Sequence, residues 1–174
     1  MRSIVTAILA AILISCTANR EKGEEYALLP MAKDYEFTAR EFETDNVFIA
    51  IEAPGVDCGI IKEQLAELFP QDGGEKAVTL QIKDKVEGIE SPEGYRLEIT
   101  PEQLSIEATD GAGLFYAVQS LIQLKGDGNS LPCCTITDEP EFGYRGMMLD
   151  VSRHFFGKEF VKKQIDAMSH FKMN

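Results

Sequence analysis

The sequence predicts an α+β fold, a mainly antiparallel sheet covered by two helices, with one further strand and helix after it. Three observations predict it. Short runs at 46–52 (NVFIAIE), 78–82 (VTLQI), 94–100 (GYRLEIT) and 104–108 (LSIEA) alternate as half-buried strands do. Two longer segments, 59–69 and 111–124, carry apolar residues at the spacing of one helical face. The third is the link Pro101-Glu102-Gln103, which suits a hairpin because a parallel crossover needs roughly a dozen residues or more.

The chain begins with a basic Arg2 and an apolar stretch from Ile4 to Ile14, the pattern of a secretory signal over residues 1–15. That stretch is too short to span a bilayer, which takes about 20 residues. Leu13-Ile14-Ser15-Cys16 resembles the processing site of bacterial lipoproteins, which implies lipidation at Cys16 and a membrane contact through that anchor only. Thr17 after the cysteine is compatible with the outer membrane or cell surface, the anchored domain facing either periplasm or exterior. Residues 16–34 include TANREKGEE, a polar run that reads as a solvated tether.

A folded domain is expected over 35–139. Ile61, Leu65, Leu68 and Phe69 mark the buried stripe of its first helix, which the PQDGG cluster from Pro70 to Gly74 stops. Tyr95, Leu97 and Ile99 face Leu104 and Ile106 across the hairpin, leaving one apolar face that needs a cover. GAGLFYAVQSLIQL supplies it through Leu114, Val118, Leu121 and Ile122, with Asp110 as N-cap. KGDGNS at 125–130 is a turn, and 131–137 is the last β-prone run before the boundary at Pro140. No internal repeat interrupts this order.

The net charge of −12 argues against nucleic-acid backbones and anionic lipid surfaces as partners, since both need clustered Lys and Arg. Cys58, Cys133 and Cys134 show no metal-ligand spacing, so no metal or other cofactor is expected and the thiols read as buried and structural. Gly111-Ala112-Gly113 lacks the third glycine of a dinucleotide loop and follows antiparallel strands. It therefore predicts close helix packing rather than phosphate binding.

Carboxylate pairs at Glu24-Glu25 and Asp138-Glu139 fall in the tether and in an inter-domain turn, where a solvated, non-catalytic role is expected. His154, beside Phe155 and Phe156, reads as a partly buried ring, and His170 as a surface residue. Neither stands near a recognisable nucleophile motif. Arg145 enters a strand, where its five donors need a carboxylate or sugar hydroxyls. On the residues alone a structural salt bridge, for example to Asp150, is the simpler expectation.

PEFGYRGMMLDVSRHFFGKEFVKKQIDAMSHFKMN resembles the opening of the catalytic barrel of glycoside hydrolase family 20, the β-N-acetylhexosaminidases, with its YRG, LDxSRHF and MxxxKxN progression. GYRLEITPEQLSIEATDGAGLFYAVQSLIQL looks like the α/β domain preceding that barrel, a pattern also shared by certain α-glucuronidases. The resemblance implies that 140–174 is the first β-α unit of an incomplete TIM barrel. It implies a substrate contact at Arg145, support from Asp150, Arg153 and His154, and partners that are N-acetylglucosamine- or N-acetylgalactosamine-terminated glycans and the remainder of the barrel. It implies a substrate-assisted, retaining mechanism whose Asp-Glu pair lies beyond Asn174, so that the 174-residue chain is inactive. The alternative is a non-catalytic surface lipoprotein that binds carbohydrate or protein. Barrel sites sit at the carboxyl ends of strands, which favours Asp150 to His154 over Arg145, and alternation puts Arg145 on the face opposite Asp150.

Overall fold

The computed structural model describes residues 26, 28–70 and 73–174. In chain order its elements are β1 (Asp34–Glu43), β2 (Val47–Glu52), α1 (Gly59–Leu68), β3 (Lys76–Ile82), β4 (Tyr95–Ile99), β5 (Gln103–Ala108), α2 (Gly111–Lys125), β6 (Ser130–Asp138) and α3 (Lys158–His170). The six strands form one sheet in the order β1-β6-β4-β5-β3-β2. The signal, Cys16 and most of the tether lie outside the described residues, as do Glu24 and Glu25.

The hairpin forms as its short link requires. β4 and β5 run antiparallel with Leu97 opposite Ile106 and Ile99 opposite Leu104. All four side chains are sealed from solvent, while Arg96, Glu98, Ser105 and Glu107 alternate onto the more open face. α2 covers the sealed face, packing on β3 to β6, and α1 lies beside α2. Burying a side chain of Leu or Ile size contributes about 1.5–3 kcal/mol, so the row Leu97, Ile99, Leu104, Ile106, Leu114 and Leu121 forms the centre of the stabilising core.

Both helices follow the expected stripes. Ile61, Leu65 and Leu68 are buried on α1, and Phe69 closes it as C-cap. Asp110 caps α2, its Oδ1 accepting from the Gly113 N–H at 2.8 Å. Gly113 is required by proximity: a Cβ there would stand 2.4 Å from the Gly94 carbonyl oxygen. The glycines at the start of α2 therefore bring helix and sheet together, as expected.

Two features differ from expectation. The sheet is mainly antiparallel, but β2 pairs with β3 and β3 with β5 in parallel; α1 is the crossover that makes the first of these possible. The second is β1, which was not expected. Its sequence DYEFTAREFE is highly charged, and a register shift between Phe37 and Glu41 breaks the alternation that would have revealed it. Edge strands tolerate such composition because one side of the ladder is free.

After Asp138 the expected helix forms as α3, with Glu159 in its first turn and His170 in its last, both favourable to the helix dipole. The expected strand does not: 144–151 joins no ladder. A strand's N–H and C=O groups need neighbouring strands, and among the described residues no free barrel strand lies beside it. No described helix is long and apolar enough to cross a membrane.

Candidate functional site at the junction with the terminal segment

Residues 141–174 are tied to the sheet domain by several polar groups; no α3 side chain is fully buried, though Val161 and Met168 are half-buried. Lys172 is the deepest of them, with 5% of its surface exposed. Its Nζ donates to Asp138 Oδ2 and to Tyr95 Oη, each at 2.9 Å. Tyr95 Oη also donates to Asp138 Oδ2 at 3.1 Å and lies 2.6 Å from Ser120 Oγ. Burial lowers the pKa of Lys172, and the Asp138 carboxylate works against that shift. Burial also pushes Tyr95 well above the usual phenol range, with Asp138 adding to it. The phenol stays neutral and serves as a hydrogen-bonding post.

Arg145 occupies a second polar site beside the first. Its Nη2 donates to the Glu93 carboxylate and to Tyr116 Oη at 3.1 Å. Nη1 donates to the Phe142 carbonyl at 2.7 Å and Nε to the Lys172 carbonyl at 2.9 Å. Four of the guanidinium's five N–H donors thus meet protein acceptors, and its bridge runs to Glu93, not to Asp150. Burial alone would lower its pKa, but Glu93 and Tyr116 hold it above its ordinary value.

Asn174 completes the junction. The Arg145 N–H donates to Asn174 Oδ1 and the Asn174 N–H to the Arg145 carbonyl, both at 3.0 Å. Its Nδ2 donates to the Gly143 carbonyl, also at 3.0 Å. Gln123 of α2 ties the end of α3 from the other side by donating to the His170 carbonyl at 2.9 Å.

Asp138 and Glu139 are not solvated, as their place in a turn had suggested. Asp138 holds Lys172, and Glu139 accepts from Lys33 Nζ at 2.5 Å and from the N–H groups of Glu90 and Ser91 at 2.7 and 2.8 Å. The Lys33 hydrogen bond, followed by that backbone donation, pulls Glu139 down to about 2. A carboxyl this acidic does not suit proton donation near neutrality. A cleft of about 470 Å³ lies between these groups, Met31 and Phe142.

The remaining candidates lie away from this junction. Asp150 Oδ1 accepts from the N–H groups of Ser152 and Arg153 at 2.8 and 3.2 Å, which closes a turn at the end of the LDVSRH run. Arg153 Nε stands 3.7 Å from Asp150 Oδ2 with its side chain 88% exposed. His154 is exposed rather than partly buried, because the apolar neighbours that a strand end would have are missing around it. Asp150, Arg153 and His154 thus share one open loop, while Arg145 belongs to the junction. Sequence reasoning missed Lys172, Glu93 and the roles of Tyr95 and Tyr116. The KxN spacing was the one signal available for Lys172 and Asn174. Among the described residues no cluster of His, Cys, Asp and Glu could hold a metal ion.

Comparison with known proteins divides the chain at the same junction. Residues 25–139 match the model for glycosyl hydrolase family 20, domain 2, and 142–174 match that family's catalytic domain. The chain belongs to glycosyl hydrolase family 20. Its relatives include an N,N'-diacetylchitobiase of Vibrio harveyi, 44% identical over 82 residues, which are 46% of this chain and 9% of that protein. A β-hexosaminidase of Vibrio furnissii is 36% identical over 121 residues, 66% of this chain and 19% of the relative. Among solved structures, the β-N-acetylhexosaminidase of Bacteroides fragilis superposes with a TM-score of 0.69 at 30% identity, covering 84% of this chain and 31% of that one. A Vibrio harveyi GH20 exo-β-N-acetylglucosaminidase in complex with N-acetylglucosamine gives 0.69 at 29% identity, covering 84% and 24%. The chain therefore spans under a third of each of these proteins.

Proposed function

We propose that this chain is the N-terminal part of a lipid-anchored β-N-acetylhexosaminidase that removes terminal, non-reducing N-acetylhexosamine from glycans. The observation that carries the reading is the continuity of a family 20 domain 2 with the start of the catalytic domain in a single chain. The relatives it resembles, a chitobiase and several β-hexosaminidases, support the substrate class.

In the proposed mechanism the 2-acetamido oxygen of the substrate attacks the anomeric carbon while a glutamic acid protonates the leaving oxygen. That acid and the aspartate orienting the acetamido group belong to the barrel beyond Asn174. What this chain contributes is the run from Tyr144 to His154, which opens the proposed barrel. Arg145 lines the cleft at the junction, where Glu93 and Tyr116 hold its guanidinium in place and four of its five N–H donors are engaged by protein. Barrel sites form at the carboxyl ends of strands, and Arg153, which follows the LDVS run, has its side chain exposed. We therefore propose the sugar-hydroxyl contact at Arg153, with Asp150 shaping the turn that presents it and His154 beside it; Arg145, where the resemblance places the contact, is the alternative that the kinetics below decide. A guanidinium can hold two neighbouring hydroxyls at once.

The test compares two proteins on an aryl N-acetyl-β-glucosaminide. The 174-residue chain is expected to show no turnover, and the chain continued through a complete barrel to show it. In the longer enzyme Arg153→Ala is expected to lower kcat/KM at least about a hundredfold and Arg145→Ala to act mainly on stability. Turnover by the short chain, or a dominant kinetic effect at Arg145, overturns this assignment. Anchoring rests on the signal and Cys16, and is tested by labelling with a radioactive fatty acid. Cys16→Ser should abolish incorporation.

A further inference from the structure

We infer that the strap of residues 28–33 and the terminal segment dock on the sheet domain cooperatively, because Gln123 and Asp138 each hold the strap with one arm and the terminal segment with the other. The coupling needs neither a ligand nor the rest of a barrel, so it stands apart from the functional reading above.

The strap is built into the fold. Leu28 and Ala32 are buried and belong to the apolar core, and just before them Tyr26 stacks on Phe37 of β1 with ring centroids 5.2 Å apart. A chain end that merely trails past a domain has no such fixings.

Gln123, half-buried on α2, is the first shared side chain. Its Oε1 accepts from the Leu29 N–H and its Nε2 donates to the Leu29 carbonyl, both at 2.8 Å. Nε2 also donates to the His170 carbonyl at 2.9 Å, at the end of α3. The amide thus uses both donors and its oxygen, two of these bonds on the strap and one on the terminal segment. Asp138, at the end of β6, divides its carboxylate in the same way. Oδ1 accepts from the Lys33 N–H at 3.2 Å, while Oδ2 accepts from Lys172 Nζ at 2.9 Å and from Tyr95 Oη at 3.1 Å.

Sharing is what couples the two. A side chain already fixed by one partner has lost its rotamer freedom, so the second partner docks without that cost, and the effect is reciprocal. The helix α3 is sensitive to it, since 13 residues with no fully buried side chain form a marginal helix on their own. Its amide protection therefore reports its docking. On the reading proposed above, the strap is also where the tether meets the fold. Whatever holds the chain upstream of Tyr26 then reaches the start of the catalytic domain through two side chains.

The experiment measures amide exchange in the 174-residue chain. Leu28→Ser, which alters neither shared side chain, is expected to loosen the strap and with it to quicken exchange in Lys158–His170 at least about threefold. Lys172→Met should quicken the Leu29 and Lys33 amides by about the same factor, and Gln123→Leu, which keeps the volume, should quicken both regions. In all three variants β4 and β5 should keep their protection. Freed strap amides with α3 unchanged in Leu28→Ser overturn the coupling, as does an effect of Lys172→Met confined to the terminal segment or of Gln123→Leu confined to one side. Should Leu28→Ser leave the strap in place, or open the sheet domain and strip β4 and β5 of protection, the other two variants decide.

Discussion

Glu139 shows how much a single side chain at the boundary does. Its carboxylate gathers Lys33 and the turn at Glu90 and Ser91, and its pKa falls from 4.5 to about 2. A depressed carboxyl stabilises the fold above its unfolded pKa, and that contribution is lost as pH falls through the folded value. Acid titration of stability should therefore show a slope between pH 4.5 and about 2 that Glu139→Gln flattens, measured by urea unfolding across that range. The buried thiols make the opposite case. Burial, and then the neighbouring Cys133, push Cys134 up to about 12, so native alkylation near neutral pH should leave Cys134 unmodified until the chain is unfolded. That these thiols would be buried was legible from their spacing. The acidity of Glu139 was not, because Lys33 lies more than a hundred positions away in sequence.

Elements divide by how local their causes are. The helix α2 was readable end to end, since its stripe, its Asp110 cap and its glycines all lie within the segment or beside it. Asp110→Ala is expected to cost about 1 kcal/mol, the usual worth of such a cap, as a shift of the denaturation midpoint. Gly113→Ala should cost more, about 1–3 kcal/mol, because the new methyl meets the Gly94 carbonyl at 2.4 Å and helix or sheet must give way. The hairpin of β4 and β5 was equally legible, for its link is short and its alternation clean. β1 was not, because an edge strand with a register shift and a charged sequence carries no periodic signal of its own. The run from Tyr144 to Val151 fails in the opposite sense. It has a strand's sequence and no ladder, since strand formation depends on partners that the sequence of the run cannot contain.

At the scale of the molecule the sheet domain and the terminal segment are held by different forces. The first is built on a continuous apolar core. The second leaves Phe142, Tyr144, Met148, Phe155 and Ile165 exposed around a polar attachment. Exposed apolar surface of this kind marks an unfilled interface, which the proposal assigns to the rest of the barrel. Limited proteolysis of the 174-residue chain should consequently cut first between Tyr144 and Gly157 and leave the sheet domain intact. A first cut within β4, α2 or β6 would contradict this division. The buried row Leu97, Leu104 and Leu121 should resist any such opening, and Leu121→Ala is expected to cost about 2–5 kcal/mol by thermal or urea unfolding.

By itself the sequence determined the two helices, the central hairpin, the buried thiols and the membership signalled by the YRG, LDxSRHF and KxN runs. Each of these is written in local spacing, which is what helical and strand periodicity record. Only the tertiary structure decided where Arg145 spends its donors, that Lys172 is buried on Asp138 and Tyr95, and that β3 lies parallel between β2 and β5. These are pairings between positions far apart in the chain. A buried charge carries no mark in sequence of the partner that makes its burial tolerable; that partner is chosen by the fold.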